Sequence, residues 1–409
     1  MRRVVVTGLG AVSSLGIGKE AHWETLVSAR SATKRIERFT SQRFPVDVAA
    51  EIPETLLEHE LNRFPRKQRK FFSRATLFAM IGSSLAFEDA GLQQGAIDPT
   101  RLGVFLGTLF TSIDFYTFLR WLGAAESSET VGMMDLRKAN SYCMSSINPT
   151  DFSLKTMPNL TGGHVAIAHN AQGICRVIAD GCTGGLQAIG QAFLAVKEDQ
   201  LDLVLCGGAE APLEELTFLT LCAWGFLANG NEEPYAACRP FDKSRRGIYG
   251  EILGFGAAAG DVTFGHQSEV NGVAERLSLS IRRALAEAGL EKVHLIAANG
   301  DSTKSHDLAE TMAIKEVFGW RAKEIPISAT KSMHGHLVSA SGALEMITCF
   351  VSLERGIIPP TVNLRDPDPL CDLDYVPNVP RPSQHMTTAL VNAVGLFGES
   401  TSIVIRKAA

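Results

Sequence analysis

From Ile178 to Glu210 the chain reads IADGCTGGLQAIGQAFLAVKEDQLDLVLCGGAE, and this stretch limits the possible folds more than any other. Cys182 lies between Gly181 and Gly184, just ahead of Leu186, Ile189, Phe193 and Val196 at helical spacing. Residues 184 to 198 are therefore expected to form an amphipathic or buried helix. LDLVLC follows as a short apolar run closed by Gly207 and Gly208, the pattern of a buried strand. A cysteine at a helix N-terminus faces unpaired N–H groups and the positive end of the helix dipole, and both favour thiolate over thiol. The flanking glycines would let another backbone, or a thioester, approach the sulfur closely. The competing reading is a small buried cysteine in a tight turn, and this stretch alone does not separate the two.

A chain of 409 residues can bury a large core, as one big domain or two intimately packed ones. The net charge of -5 gives no reason to expect nucleic acid or an anionic membrane as partner. No apolar run approaches the ~20 residues of a transmembrane helix. In MRRVVVTGLG the glycines interrupt the valines too soon for a signal-peptide core, so the expected compartment is the cytoplasm. The eight cysteines show neither CxxC pairs nor zinc-like spacing, so they are expected to be reduced and mostly buried, with no metal site.

Taken in order, the chain alternates strands and helices. Val4 to Val6 read as a strand entering a glycine-rich turn. Gly8 and Gly10 resemble part of a dinucleotide fingerprint, but Ser13 takes the third glycine's place and no acid closes a second strand. A tight buried turn explains them better than a nicotinamide site. His22 to Ala29 look helical. RFPRKQRKFFSR, with Arg63, Arg66, Lys67, Arg69, Lys70 and Arg74, reads as a solvated face that could dock an acidic partner. Ala75 to Ala90 form a helix ended by Gly91, and RLGVFLGT a strand. Residues 110 to 170 lack clean periodicity and read as an excursion suited to a substrate wall or a subunit contact. Val273 to Ala288 and His306 to Phe318 are helices, VHLIAAN a strand, and TALVNAVGLFG and TSIVIR the last strands. KSMHGHLVSASGALE echoes the cysteine segment, a polar residue and glycine before a helix of small residues. The alternation implies an α/β layered fold with largely parallel sheets and a duplicated core.

These pieces together resemble the β-ketoacyl-acyl-carrier-protein synthases of the elongating type. VVVTGLGAVSSLG, INPTDFSLKTMPNLTGGHVAIAHNAQG, GCTGGLQAIGQA, CRPFD, KSMHGHLVSASGALE and IIPPTVNLRDPDPLCDLDYVPN match that family in order. The resemblance implies a thiolase-like, internally duplicated α-β-α-β-α architecture, with residues 1–250 carrying the nucleophile and 251–409 the other site residues. It implies a dimer with an acyl tunnel, no bound metal or redox cofactor, and substrate held on the phosphopantetheine arm of an acyl carrier protein. In that family a cysteine takes the acyl chain as a thioester, which splits the reaction in two. Two histidines then polarise a malonyl thioester as it loses CO2, because N–H donors must meet the negative charge that builds on its oxygen.

By this resemblance Cys182 is the nucleophile, His336 the second histidine and Lys331 the active-site lysine. The register of AANGDSTKSHDLAE, fixed by Gly300, Thr303, Asp307 and Glu310, puts Asn299 where the first histidine belongs. Asp301 then stands where a pantetheine-contacting threonine is expected, and Thr303 remains as a substrate-binding residue. GLFGES departs from the family's Gly-Phe-Gly-Gly-Thr-Asn loop, leaving Leu396 or Phe397 at the tunnel gate. Asn is neutral and shuttles no proton. Functional loops that degrade beside intact scaffold motifs resemble the chain length factor, the partner subunit of type II polyketide synthases, although those partners usually lack the cysteine kept here. The expectation is a ketosynthase-family subunit of a type II polyketide or fatty acid system, in a heterodimer with an active synthase. The alternatives are a self-sufficient, homodimeric synthase with a Cys182-Asn299-His336 site, or a non-elongating acyltransferase.

Overall fold

The structure is a computed structural model, and it describes all residues except 1, 28–31, 40–43, 94, 111–114, 131, 148–153, 224–249, 260–269, 397 and 409. The CRPFD motif and Phe397 therefore lie outside the described residues, as does part of residues 110 to 170.

The elements used below are β1 (Val5–Val6), α1 (Lys19–Leu26), α2 (Arg74–Asp89), β2 (Leu102–Gly107), α3 (Phe115–Ala125), α4 (Leu136–Ser146), α5 (Asn159–Ala168) and β3 (Cys175–Ile178). They continue with α6 (Gly184–Lys197), β4 (Leu203–Gly208), β5 (Gly250–Ala258), α7 (Val270–Ala288), β6 (Leu295–Ala297), α8 (Lys304–Phe318) and β7 (Ile327–Ser328). The last three are α9 (Ser341–Arg355), β8 (Thr388–Val394) and β9 (Ser400–Lys407).

Two sheets enclose a helical centre. The first is three-stranded, in the order β3-β2-β4, with every pair parallel. Every residue of β2 is buried, as a central parallel strand covered on both faces requires. The second is six-stranded, in the order β1-β5-β9-β8-β6-β7. Here the expectation of largely parallel sheets needs correction. The β8, β6 and β7 ladders are parallel, but β1–β5, β5–β9 and β9–β8 are antiparallel. Strands β8 and β9 follow one another through a short loop, and a short connection permits only antiparallel pairing.

Helices α6 and α9 fill the middle layer. Leu186, Ile189 and Phe193 of α6 share one core with Met346, Phe350 and Leu353 of α9 and with Val391, Ile403 and Ile405 of the large sheet. Each such side chain, fully buried, contributes roughly 1.5–3 kcal/mol. Helices α7 and α8 cover the outer face of the large sheet through Leu277, Ile281, Ala313 and Ile314. Helices α2 and α5 cover the small sheet through Met80, Ile81 and Val165. The result is the α-β-α-β-α layering. The two echoing segments occupy matching places, since Cys182 joins β3 to α6 and His336 joins β7 to α9.

Candidate active site

Strands β8, β6 and β7 run parallel, so their C-terminal ends lie side by side, where open α/β sheets place ligands. Asn299 follows β6, Lys331 follows β7 and Leu396 follows β8. Cys182 reaches the same region from the other half, in a single turn, Gly181–Thr183, that opens α6. Glycines make that approach possible. A Cβ on Gly185 would sit 2.3 Å from the Ser339 carbonyl, and one on Gly107 would sit 2.2 Å from the backbone of Gly184. Ser339 then ties the halves together, donating from Oγ to the Gly181 carbonyl at 2.7 Å.

Burial decides the state of Cys182. The residue is 2% exposed. Desolvation pushes its thiol up to about 12; Glu399 adds to the rise, Lys331 opposes it, Asp301 adds again, and the Leu396 N–H, bonded to the sulfur, pulls slightly down. The expected thiolate is thus corrected to a thiol, because burial of the sulfur favours the neutral form. Glu399 was not singled out from the sequence, although it breaks the family's loop pattern.

His336 presents a donor. The Val338 N–H donates to its Nδ1 at 2.9 Å, and Ser341 Oγ lies 3.3 Å from the same nitrogen. With Nδ1 accepting, the ring proton belongs on Nε2. Among the described residues Nε2 is buried without a hydrogen-bond partner. Burial, with Lys331 adding to it, lowers the imidazole to about 3, so it is neutral at pH 7. Val338 holds this geometry at φ +47°, an unusual conformation for a β-branched residue.

Asn299 is largely engaged internally, with its oxygen and one of its two amide N–H groups in use. Its Oδ1 accepts from Lys331 Nζ at 3.0 Å and from the Val394 N–H at 3.0 Å, while its Nδ2 donates to Asp301 Oδ2 at 3.1 Å. Lys331 Nζ also donates to the Asn299 backbone carbonyl. Glu310, buried beneath, accepts from the N–H groups of Asn299 (2.9 Å) and Gly300 (3.0 Å) and from Asn392 Nδ2 (3.0 Å). Asp301 pairs with His306 Nδ1 at 2.7 Å. Burial alone would raise Asp301, yet the bond to and charge of His306 hold it well below the usual carboxylate range. Burial likewise opposes the histidine's charge, but Asp301 raises His306 overall. His306 carries no motif signal in one sequence; only its contact with Asp301 reveals it. Thr303, expected to bind substrate, accepts from the His306 N–H and caps α8, while its own N–H donates to Asp301 Oδ1 at 2.9 Å.

Lys331, His336, Asp301, Ser302 and Thr303 line a cavity of about 1150 Å³, together with apolar residues that include Leu106, Ile189, Phe193 and Phe350. Cys182 is not among its lining residues. A dry site with one preset N–H donor can stabilise an oxyanion. Among the described residues no group of three His, Cys, Asp or Glu side chains is arranged to hold a metal ion. Nor is any described helix long and apolar enough to cross a membrane.

Comparison with known proteins identifies the family. Residues 1–260 match the β-ketoacyl synthase N-terminal domain and residues 249–365 the C-terminal domain. The tetracenomycin polyketide synthase ketoacyl synthase alpha subunit of Streptomyces glaucescens is 31% identical over 99% of this chain and 97% of its own. The 3-oxoacyl-[acyl-carrier-protein] synthase 2 of Coxiella burnetii is 31% identical over 99% of each chain. Among solved structures, a type II PKS acyl-carrier protein in complex with its ketosynthase bound to the hexaketide superposes with a TM-score of 0.80 at 27% identity, covering all of both chains. The ishigamide ketosynthase/chain length factor does so with a TM-score of 0.80 at 25% identity, again over all of both chains. The thiolase-like fold, the paired Cys182 and His336 turns and these matches together place the chain in the β-ketoacyl synthase family.

Proposed function

We propose that this chain is a subunit of a type II polyketide or fatty acid system that handles acyl groups on the phosphopantetheine arm of an acyl carrier protein. In this reading it is the chain-length-factor-like partner of an active synthase. The carrying observation is the state of Asn299: its oxygen is held by Lys331 and Val394 and its amide donates to Asp301. A malonyl enolate would therefore meet the His336 donor and a carboxylate beside it, where two donors are needed. Division at residue 250 gives a first half with Cys182 and a second with Asn299, Lys331 and His336.

Assembly is supported by the surface around residues 110 to 170. There Tyr116 (61%), Leu136 (75%), Met144 (78%) and Ile167 (77%) stand exposed, more apolar surface than an isolated subunit needs. Solved relatives include a ketosynthase with its acyl carrier protein and a ketosynthase/chain length factor. The exposed Arg66, Lys67 and Lys70 suit docking of an acidic carrier. Co-expressed with a Cys-His-His synthase, the chain should elute as a one-to-one complex; alone it should be catalytically silent. A stable homodimer that extends acyl chains unaided contradicts the proposal.

One observation favours a second reading, the acyl-loading enzyme. Cys182 is retained, and the Leu396 N–H points at its sulfur. Transfer of a labelled acyl group from a carrier to Cys182, without extension, would identify that activity.

A further inference from the structure

Glu399 occupies an unusual place. A Cβ on Gly181, the residue before Cys182, would lie 2.4 Å from Glu399 Oε1. One on Gly395, the residue before Leu396, would lie 1.5 Å from Oε1 and 2.6 Å from Oε2. The carboxylate therefore rests on two bare Cα positions, one on each backbone segment that frames the sulfur. Either glycine, given a side chain, would displace it. The charge of Asp301 acts on the thiol in the same direction, that of Lys331 opposes it, and Lys331 also donates to Asn299.

We propose that Glu399 is a charge filter at Cys182, turning away acyl units that carry their own carboxylate, malonyl among them, and admitting neutral acyl thioesters. The acyl part rests on the function proposed above; the filter does not. Physically, a fixed negative charge in a site shielded from water repels an anion far more than it would in solvent. The ordering of influences on the thiol agrees, with Glu399 the strongest of the charged groups and Lys331 behind it. The reaction is simple transacylation: the Cys182 sulfur attacks the thioester carbonyl, the bond to the carrier sulfur breaks, and the proton lost from Cys182 ends on that sulfur, which leaves as the carrier thiol.

Two alkylating reagents of nearly equal size, iodoacetamide and iodoacetate, test the filter without any acyl substrate. In each case the sulfur attacks the CH2 carbon and iodide leaves, and peptide mass mapping gives a rate for each cysteine. The exposed Cys175 is the internal control. The iodoacetate-to-iodoacetamide ratio should be about tenfold lower at Cys182 than at Cys175, the equivalent of one pKa unit of charge interaction. Glu399→Gln should bring the two ratios together, and Glu399→Asp should keep them apart. Equal ratios at the two cysteines of the native chain overturn the inference, whether or not the variants fold. So does a ratio unchanged by Glu399→Gln, and so does failure of both reagents to reach Cys182. The acyl reading has its own measurement, transfer of labelled acetyl and malonyl from carrier protein. Acetyl faster than malonyl supports the filter, malonyl as fast as acetyl overturns it, and transfer of neither overturns the acyl reading alone.

Discussion

His336 and Asn299 stand at comparable places, each just beyond a strand of the same parallel set, and each is held by backbone N–H groups. Each accepts from a backbone N–H, and they differ in what becomes of the donor. At His336 the bond from Val338 occupies Nδ1 and turns Nε2–H outward as an unpaired, buried donor. At Asn299 the bonds from Lys331 and Val394 occupy the oxygen, and the amide turns to Asp301. A buried donor without a partner costs about 1–3 kcal/mol, so it persists where something else uses it. A satisfied amide stabilises the fold and offers substrate little. On the proposed reading, the first arrangement serves chemistry and the second serves structure.

The sharpest break of this contrast is at Lys331, which serves the Asn299 corner directly. Lys331→Met should destabilise the chain by about 3–5 kcal/mol, because Asn299 loses one of its partners and buried carboxylates lose a cation. Denaturant unfolding gives the value; a loss below 1 kcal/mol would mean that the corner is not structural. Next is conversion of one corner into the other. Asn299→His with Asp301→Thr should raise malonyl-carrier decarboxylation by up to about 10²-fold, and by more than Asn299→His alone, read as CO2 release. An unchanged rate in the double variant would show that a second donor is not what the site lacks.

The third test is a pH series. Burial, with Asp301 and Glu310 adding to it, raises Asp307 to about 7, and its Oδ1 is buried without a partner among the described residues. The unfolded carboxyl ionises near the ordinary value of about 4, whereas the folded one keeps its proton to about 7. The native chain therefore loses stability as pH rises through that window. Asp307→Asn should gain about 2 kcal/mol over the native chain at pH 8, allowing for solvent screening, and nothing at pH 4. Equal melting-temperature differences at both pH values would contradict the assignment. The smallest effect is expected at Ser341, which accepts from the Leu337 N–H at 2.9 Å. Ser341→Ala should cost about 1 kcal/mol and leave the Nε2–H tautomer intact, because Val338 alone fixes it. Imidazole nitrogen shifts by NMR are the check.

Much of the architecture was legible because strands and helices carry distinct periods. The α6 pattern and the apolar runs of β2 and β8 each marked an element, and the echo between the Cys182 and His336 segments marked the duplication. Where a motif fixed the register, as at Lys331 and Asn299, the sequence singled out residues that the structure brings into contact. The pairing direction of β9 was hidden, since an antiparallel strand buried on both faces has the same apolar pattern as a parallel one. The state of Cys182 was misjudged because a helix N-terminus is visible in sequence and depth of burial is not. His306, Val338 and Glu399 were missed for a related reason: their significance is a contact with a site residue, and no spacing announces it.

The claim that most needs testing is that Asn299 supplies no working donor. Purified alone, the native chain should be assayed for CO2 release from malonyl carrier protein beside a complete Cys-His-His synthase. One missing donor predicts a rate about 10²- to 10³-fold lower. A rate equal to that of the complete synthase would make Asn299 a working catalytic residue, and the partner-subunit account would be wrong.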